Sequence, residues 1–194
     1  GGQNSGTTKF GAFTGETSPA VLVELGCEWV IIGHSERRHI FHEEDPILAA
    51  RLKAALDEGL SVIFCVGEVL NDRKTGRTLK VLESQLALLK AVPAQQIDKV
   101  VIAYEPVWAI GTGENATPQQ AEEAHEFIRR WYGENISSDK AATVRILYGG
   151  SVKPENSTQI LSQKDVDGLL VGGASLDPVV FAGVIRNGMK GTGK

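Results

Sequence analysis

The sequence is poor in the residues that mark secreted, metal-binding or membrane-spanning proteins. Its only two cysteines, Cys27 and Cys65, lie in apolar surroundings without the spacing of a metal site. Reduced core thiols are therefore expected, and neither a metal nor a disulfide is. No apolar run reaches the length of a membrane span, so no membrane partner is expected. Reduced cysteines and the lack of a visible secretory signal at the start together predict a cytoplasmic location.

The charge is small and acidic. A formal net charge of −4 argues against a general affinity for nucleic acid or acidic membranes. The 194 residues, 42% apolar and 23% charged, suffice for a globular domain with a sizeable core. Because no linker or low-complexity tract interrupts the chain, we expect a single domain over residues 1–194.

Short apolar runs alternate with helical segments along the chain. Each run is almost continuously apolar, which is typical of strands in a parallel sheet covered on both faces. Ser, Asp or Thr followed by Pro marks four helix starts. The pattern predicts an α/β fold. The predicted strands are 29–32, 60–66, 100–104, 144–148 and 166–171, and the predicted helices are 18–26, 45–58, 79–89 (with Leu79, Leu82, Leu86 and Leu89 on one face), 118–132, 154–161 and 177–188.

The segment from Ala103 to Gly113 combines features of a catalytic loop. Glu105 stands at the end of the third predicted strand, and Pro106 ends that strand and restrains the backbone of Glu105. Small residues follow, and then a helix begins at Thr117-Pro118. This order suits a base on a rigid strand beside a mobile lid. The alternative is a surface loop with a solvated glutamate.

Glycine or a polar residue follows every predicted strand. In barrels and doubly wound sheets these strand ends share one edge, where ligands bind. The Gly-Gly pairs expose backbone N–H groups near helix starts, which suits an anion such as phosphate. The strand-end segments are Gly33-His34-Ser35-Glu36-Arg37-Arg38, Gly67-Glu68, Glu105, Gly149-Gly150-Ser151 and Gly172-Gly173-Ala174.

Five motifs together resemble the triosephosphate isomerase family. They are residues 33–38, 103–113, 148–152 and 171–175 above, and Gly11-Ala12-Phe13-Thr14-Gly15-Glu16, which is similar to the loop that the family inserts into a partner subunit. The resemblance implies a (β/α) barrel that interconverts dihydroxyacetone phosphate and glyceraldehyde 3-phosphate through an enediolate, in glycolysis and gluconeogenesis. It also implies a homodimer, a triose phosphate or similar anion as ligand, and no cofactor.

The same resemblance implies roles for individual residues. Glu105 is expected to be the base, and neutral His34 the group that polarises the carbonyl oxygen. Glu36 is expected to support them. A histidine in isolation would favour a core or capping role, and only its motif favours catalysis. The implied lid is Ala109, Ile110, Gly111, Thr112 and Gly113, and the implied phosphate-binding residues are Gly111, Ser151, Gly172 and Gly173. No catalytic role is expected for five neighbouring residues. They are His39, His42 and His125, which are expected to be ordinary surface or helix residues, and Arg37 and Arg38, which are expected to be structural ion-pair partners.

The sequence also departs from the family pattern. The family fold has eight strand–helix units and about 250 residues. Here there are five predicted strands, and Gln3-Asn4 resembles only the tail of the third family strand. We therefore expect an incomplete barrel of about five to six parallel strands. The family's Asn-x-Lys motif has no counterpart, Glu114 stands where the family usually has Lys, and His42 where it usually has Gly. Strongly impaired activity is the expected result.

Two other functions stay open at this point. One is a catalytically inactive, shortened barrel scaffold that associates with itself. The other is dinucleotide binding, because residues 111–116 match Gly-x-Gly-x-x-Ala, although no strand directly precedes them. An incomplete barrel would leave open edges near Gln3-Asn4 and at 168–171, so we expect a homodimer with Gly1 to Glu16 at or near the interface.

Overall fold

The computed structural model describes residues 1–110 and 116–192. Within them the chain forms five strands and eight α-helices. The strands are β1 Trp29–Ile32, β2 Ser61–Val66, β3 Val100–Tyr104, β4 Ile146–Tyr148 and β5 Gly168–Leu169. The helices are α1 Pro19–Glu24, α2 Ser35–His39, α3 Asp45–Asp57, α4 Leu70–Lys74, α5 Thr78–Leu86, α6 Pro118–Asn135, α7 Ser157–Leu161 and α8 Pro178–Gly191. Four 3-10 segments are Ala87–Ala91, Ile97–Lys99, Val107–Ala109 and Gly173–Leu176.

The strands form one parallel sheet in the order β1-β2-β3-β4-β5, with helices between them. The predicted α/β fold is thereby confirmed, and the arrangement is consistent with a partial barrel. Trp29 pairs with Ser61 at the start of β1 and β2, and Leu147 pairs with Gly168 in β4 and β5. On the other side of β1, Gly2 makes a single parallel bridge to Val30.

The chain divides into two compact units. The first unit is Gly1–Val66 with Gln85–Ile102, and the second unit is Gly67–Ser84 with the chain from Ala103 onwards. The boundary falls inside β3. The expectation of a single domain stays a prediction.

Three of the four predicted helix starts follow the predicted capping chemistry, whereas Asp45 is the first residue of α3 and the N-cap Glu44 makes no side-chain capping bond. Ser18 and Asp177 accept backbone N–H groups in the first turns of α1 and α8. Thr117 and Gln120 form a reciprocal capping box at the start of α6, with N···O distances of 3.1 and 2.9 Å. Each such cap stabilises a protein by about 1 kcal/mol. The Ser-Pro, Thr-Pro and Asp-Pro signals therefore have a physical basis in this chain.

The last two strands are shorter than predicted. Strand β4 begins at residue 146 because Val144 is held in a turn by its bond to the carbonyl of Lys140. The amide of Ile146 donates to Oδ2 of Asp167 at 2.9 Å instead of to a strand. Strand β5 comprises only two residues, Gly168–Leu169. Side-chain bonds here replace ladder bonds, which an apolar pattern alone does not reveal.

Helix α7 begins at Ser157, three residues after the predicted Pro154 start. The intervening residues form a turn in which the amide of Lys153 donates to Oδ1 of Asn156 at 2.8 Å. The side-chain amide of Asn156 in turn donates to the carbonyl of Ser151 at 3.0 Å. Asparagine commonly stabilises turns in this way.

The leucine face predicted for residues 79–89 is mostly correct. Leu82, Leu86 and Leu89 are fully buried, the last of them in the 3-10 segment, but Leu79 is exposed. Burial of each of the three contributes about 1.5–3 kcal/mol. The short helices α2 and α4 were not predicted, because five residues are too few to show a periodic pattern. No helix among the described residues is both long and apolar enough to cross a membrane.

Candidate active site

Glu105 follows β3 directly and is only 2% exposed. The alternative of a surface loop with a solvated glutamate is therefore wrong. Two glycines let the neighbouring strand ends approach this residue closely. A Cβ on Gly67 would lie 2.7 Å from the carbonyl carbon of Glu105 and closer still to its oxygen, and one on Gly149 would lie 3.0 Å from its Cγ. The amide of Gly149 also donates to the carbonyl of Tyr104 at 2.7 Å. The base candidate is thus fixed on both sides.

A second buried carboxylate, Glu68, fixes the residues on either side of Glu105. It accepts the hydroxyl of Tyr104 at 3.1 Å, the indole N–H of Trp108 at 3.0 Å and the hydroxyl of Thr78 at 3.4 Å. Its backbone carbonyl accepts the amide of Val107 at 3.1 Å. Burial raises the pKa of Glu68, and the bonds from Trp108 and Tyr104 partly oppose that rise.

His34 lies in the first unit, after β1, and caps α2. Its Nδ1 accepts the backbone N–H of Glu36 at 3.3 Å. Acceptance requires an unprotonated Nδ1, so this bond favours the neutral tautomer with the proton on Nε2. The side chain of Glu36 is exposed, with one oxygen 4.0 Å from Nδ1 of His34. The sequence motif therefore builds a short helix that His34 caps through the backbone N–H of Glu36.

Arg37 and Arg38 are ion-pair partners, as expected. Nε of Arg37 donates to Glu43 at 2.9 Å. Nη1 of Arg38 donates to Asp45 at 3.3 Å, and its other nitrogens donate to the carbonyls of residues 33 and 65. His42 has a positive φ of 53°, a conformation that glycine adopts more easily, which fits the glycine usual in the resembled family.

His125 lies in a helix, which is one of its two expected positions, but it is not on the surface. It lies in α6 but is fully buried, and its ring packs edge-on against Tyr104 with 5.8 Å between centroids. Its Nδ1 is 3.3 Å from the carbonyl oxygen of Asp165. This histidine belongs to the core of the second unit.

Three of the four expected phosphate-binding residues, Ser151, Gly172 and Gly173, lie after β4 and β5, and the fourth, Gly111, is outside the described residues. Ser151 is half-buried, and its carbonyl oxygen accepts Nδ2 of Asn156. Gly172 and Gly173 are exposed at the start of a 3-10 turn, and a Cβ on either would meet no atom within 4 Å. Packing of the described residues therefore gives no reason for glycine at these two positions. Accessible backbone N–H groups, which can bind an anion, would be a reason for glycine at both positions.

Only the beginning of the predicted lid is described. Ala109 is buried at the end of the 3-10 segment, and the amide of Ile110 donates to the carbonyl of Val107 at 3.2 Å. Gly111, Thr112 and Gly113 lie outside the described residues, and so does Glu114. No group of three His, Cys, Asp or Glu residues that could hold a metal ion occurs in residues 1–110 and 116–192.

Comparison with known proteins gives the family. The model of the family described as triosephosphate isomerase matches residues 1–188. The chain belongs to the triosephosphate isomerase family. It is 51% identical to the chloroplastic triosephosphate isomerase of Arabidopsis thaliana over 187 residues. These residues are 96% of this chain and 59% of that protein. The triosephosphate isomerase of Taenia solium is 55% identical over 170 residues, 87% of this chain and 68% of that protein. That of Solibacter usitatus is 52% identical over 187 residues, 96% and 75% of the two chains.

The chain thus spans about three fifths of the length of the first of these triosephosphate isomerases. Of the residues singled out by the family resemblance, Glu105, Ser151, Gly172 and Gly173 lie in the second unit, and His34 with Glu36 lies in the first. Sequence reasoning assigned no role to Glu68. Its signal was available, because Glu68 follows a buried strand just as Glu105 does.

Proposed function

We propose that this chain carries the catalytic groups for interconverting dihydroxyacetone phosphate and glyceraldehyde 3-phosphate. Its membership of the triosephosphate isomerase family supports this reaction. The observation that carries the proposal is the placement of Glu105, buried at the C-terminal end of β3 between two glycine approaches. Catalytic groups in barrel folds come from such strand ends.

The proton transfers follow from the chemistry of the two groups. The Glu105 carboxylate takes a proton from the hydroxymethyl carbon of dihydroxyacetone phosphate, and the C–H electron pair becomes the C=C bond of an enediolate. The His34 Nε2–H donates to the carbonyl oxygen as negative charge develops there. The same carboxyl group then returns the proton to the neighbouring carbon. The hydroxyl proton of the first carbon passes by way of the His34 imidazole to the former carbonyl oxygen, so that the first carbon becomes the aldehyde and the second carries the hydroxyl. The Nδ1 bond to the amide of Glu36 supports the neutral imidazole that this requires.

The phosphate is proposed to bind at the backbone N–H groups of Gly111, Gly172 and Gly173 and at Ser151. The open space around Gly172 and Gly173 supports this assignment. Residues 109–113 are proposed as the lid, and Glu36 as the residue that supports the catalytic pair. These roles follow the family pattern residue by residue.

Replacing the base tests the reaction directly. Glu105→Gln should abolish isomerisation measured with a coupled dehydrogenase assay, because an amide cannot accept the proton. The matched control is Glu83→Gln on the exposed side of α5, which should keep the rate of the unmodified chain. Isomerase activity that survives Glu105→Gln unchanged would sink the proposal.

We further propose that a polypeptide of these 194 residues alone turns over slowly. The family's Asn-x-Lys motif has no counterpart in them, and losing one positioned group at a developing negative charge costs on the order of 100-fold in rate. The test is turnover in a preparation free of host isomerase, compared with the Solibacter relative. Near-normal turnover contradicts this proposal, whereas no turnover favours the inactive scaffold.

The chain is also proposed to associate with itself. In the first unit, the Gly1 to Glu16 segment presents Phe10 and Phe13 to solvent. Among the described residues, the single bridge to Gly2 is the one pairing on the outer side of β1. We propose a homodimer with this segment at or near the interface. Sedimentation equilibrium at micromolar concentration tests it, and a stable 20.8 kDa monomer contradicts it. A cytoplasmic location and a place in glycolysis remain predictions.

A further inference from the structure

Helix α2 is too short to hold its own orientation. It has five residues, and an isolated helix of that length is unstable in water. His34 is its N-cap, so the direction of the imidazole depends on how α2 lies against the strand ends. Bonds from α2 to the sheet therefore matter for this histidine, and Arg38 near the end of the helix makes two bonds at that edge.

The guanidinium of Arg38 bridges the ends of β1 and β2. The paired residues of these two strands end at Ile32 and Phe64. One residue further on, Nε of Arg38 donates to the carbonyl of Gly33 at 2.9 Å, and Nη2 donates to the carbonyl of Cys65 at 3.0 Å. A guanidinium presents its N–H groups in a fixed planar fork, so a single side chain joins both strand ends where their pairing stops.

The space around this bridge is closely filled. The side chain of Arg38 is only 9% exposed, and its guanidinium carbon lies 5.7 Å from the centroid of the Phe64 ring. Gly33 has a φ of 79°, and a Cβ on it would lie 3.0 Å from Nη2 of Arg38 and 3.1 Å from the carbonyl oxygen of Cys65. Glycine therefore lets the backbone turn into His34 directly beside the arginine.

We propose that Arg38 is the positioning residue that fixes the His34 imidazole at the strand ends, by joining α2 to the carbonyls of Gly33 and Cys65. The inference rests on the proposed function and deepens it, because it names what orients the group assigned to the carbonyl oxygen of the substrate. Arg38 is assigned no contact with the substrate and acts through His34. Misplacing a reacting group by about 1 Å costs on the order of 100-fold in rate, so loss of the bridge should reduce turnover more than binding.

The two carbonyl bonds, and not the ion pair with Asp45, are expected to carry this role. Nη1 of Arg38 donates to Asp45 at 3.3 Å, but the Asp45 side chain is 46% exposed, and pairs with exposed charges stabilise little. A lysine at position 38 would keep the charge, but an ammonium lacks the planar fork that reaches two carbonyls at once. Charge and geometry can therefore be separated by substitution.

The ¹⁵N resonances of the His34 ring test the proposal without any need for activity, and His34→Gln assigns them. In the unmodified chain the bond from the Glu36 amide favours the tautomer with the proton on Nε2, which the spectrum should show. Arg38→Lys should shift both ring nitrogens towards the tautomer average of a free histidine. Asp45→Asn and Arg37→Lys are the matched controls. They should leave the resonances in place, because neither removes a carbonyl bond of Arg38.

Isomerase kinetics give the second measurement. Arg38→Lys should lower kcat at least about 10-fold and change KM less than about two-fold, whereas the two controls should keep both values. If the unmodified chain has no isomerase activity, the proposed function fails, and the His34 spectrum alone decides the role of Arg38. An unchanged His34 spectrum in a folded Arg38→Lys protein overturns the positioning role, and so does an equal shift in Asp45→Asn or Arg37→Lys.

Two further measurements keep the test decisive if Arg38→Lys does not fold, which far-ultraviolet circular dichroism shows. Arg38→Gln repeats the substitution without a buried charge, and its shorter side chain does not span both carbonyls, so it should shift the His34 resonances in the same way. The unmodified chain needs no variant: a bridging guanidinium should give separate, slowly exchanging Nη signals in the ¹⁵N spectrum. A single averaged Nη signal for Arg38 would overturn the bridge.

Discussion

In the first unit a buried arginine is surrounded by carboxylates, whereas in the second a buried carboxylate is surrounded by uncharged donors. Arg51 donates to Glu43 at 2.9 Å, to Glu16 and to the carbonyl of Ser5. The side chain of Glu68 accepts the hydroxyl of Tyr104 and the indole N–H of Trp108, and Arg73 contributes a more distant charge. The difference shows in the pKa values: the bond from Arg51 lowers the pKa of Glu16, and burial raises that of Glu68.

The two units hold their functional segments in place by different interactions, charge pairing in the first and hydrogen bonding to one carboxylate in the second. Charge pairing ties the Gly1 to Glu16 segment to α3, and it is strong because removing one partner leaves another charge buried. Hydrogen bonding to Glu68 ties Tyr104 and Trp108 on either side of Glu105, and it leaves a carboxyl group that is easier to protonate. The supports of the two segments therefore respond to pH in opposite directions.

The largest expected effect is the loss of the buried cation. Arg51→Met leaves Glu43 buried without one of its cations, and we expect it to lower the free energy of unfolding by about 3–5 kcal/mol. Lys53→Met on the same helix removes only the exposed pair with Asp57 and should change it by about 0.5 kcal/mol or less. Urea unfolding measures both. Similar losses in the two variants would show that burial of the Arg51 pairs contributes nothing.

The next largest effect on stability is expected from adding a methyl group at Gly67. Gly67→Ala forces the end of β2 away from the Glu105 carbonyl, and we expect a loss of about 1–3 kcal/mol in stability, together with a loss of any isomerase turnover. Gly6→Ala in the first unit is the control, because its Cβ would have only ordinary contacts, none closer than 3.4 Å. A Gly67→Ala protein as stable as Gly6→Ala would contradict the close approach.

The elements of this fold that depend on residues close together in the sequence could be predicted. Three helix starts have a capping side chain next to proline, and Thr117 with Gln120 forms the expected box. Strand β3 matches its prediction because all five of its residues are buried. The ends of β4 and β5 could not be predicted, since Asp167 takes the Ile146 amide from a position 21 residues away.

In the candidate site, too, some features could be predicted from neighbouring residues and others depend on the fold. The strand-end position of Glu105 was visible in the sequence, because an apolar run stops there at proline. The bond from the amide of Glu36 to His34 was not visible, because it depends on α2, a helix too short for periodicity. The role of Glu68 depends on donors 10 to 40 residues away, and only the fold brings them together.

The pH dependence of stability should differ in sign between the units. A lowered pKa for Glu16 means that its contribution is present above pH 4.5 and lost as the pH falls through the folded-state value. A raised pKa for Glu68 means that its contribution is present below pH 4.5 and lost as the pH rises through the folded-state value.

Two variants separate these slopes. Glu68→Gln should remove the decrease in stability above pH 4.5 and cost about 1–3 kcal/mol near neutral pH, because its amide N–H groups face other donors. Glu16→Gln should instead remove the decrease below pH 4.5. Unfolding free energies measured from pH 3 to pH 7 test both, and identical profiles for the two variants would contradict the assignment.

The smallest expected effect concerns two buried tyrosines of the second unit. The Tyr104 hydroxyl donates to Glu68, whereas the Tyr148 hydroxyl has no partner among the described residues, and burial raises the pKa of Tyr148 to about 12. Tyr104→Phe should therefore cost about 1–3 kcal/mol, because it takes a donor from a buried carboxylate. Tyr148→Phe removes a hydroxyl that has lost its water without gaining a bond, so the free energy of unfolding should change by less than about 0.5 kcal/mol or rise slightly. The two substitutions remove the same atom from similarly buried rings, so urea unfolding compares them directly. Equal losses would mean that the Tyr148 hydroxyl also has a bonding partner in solution.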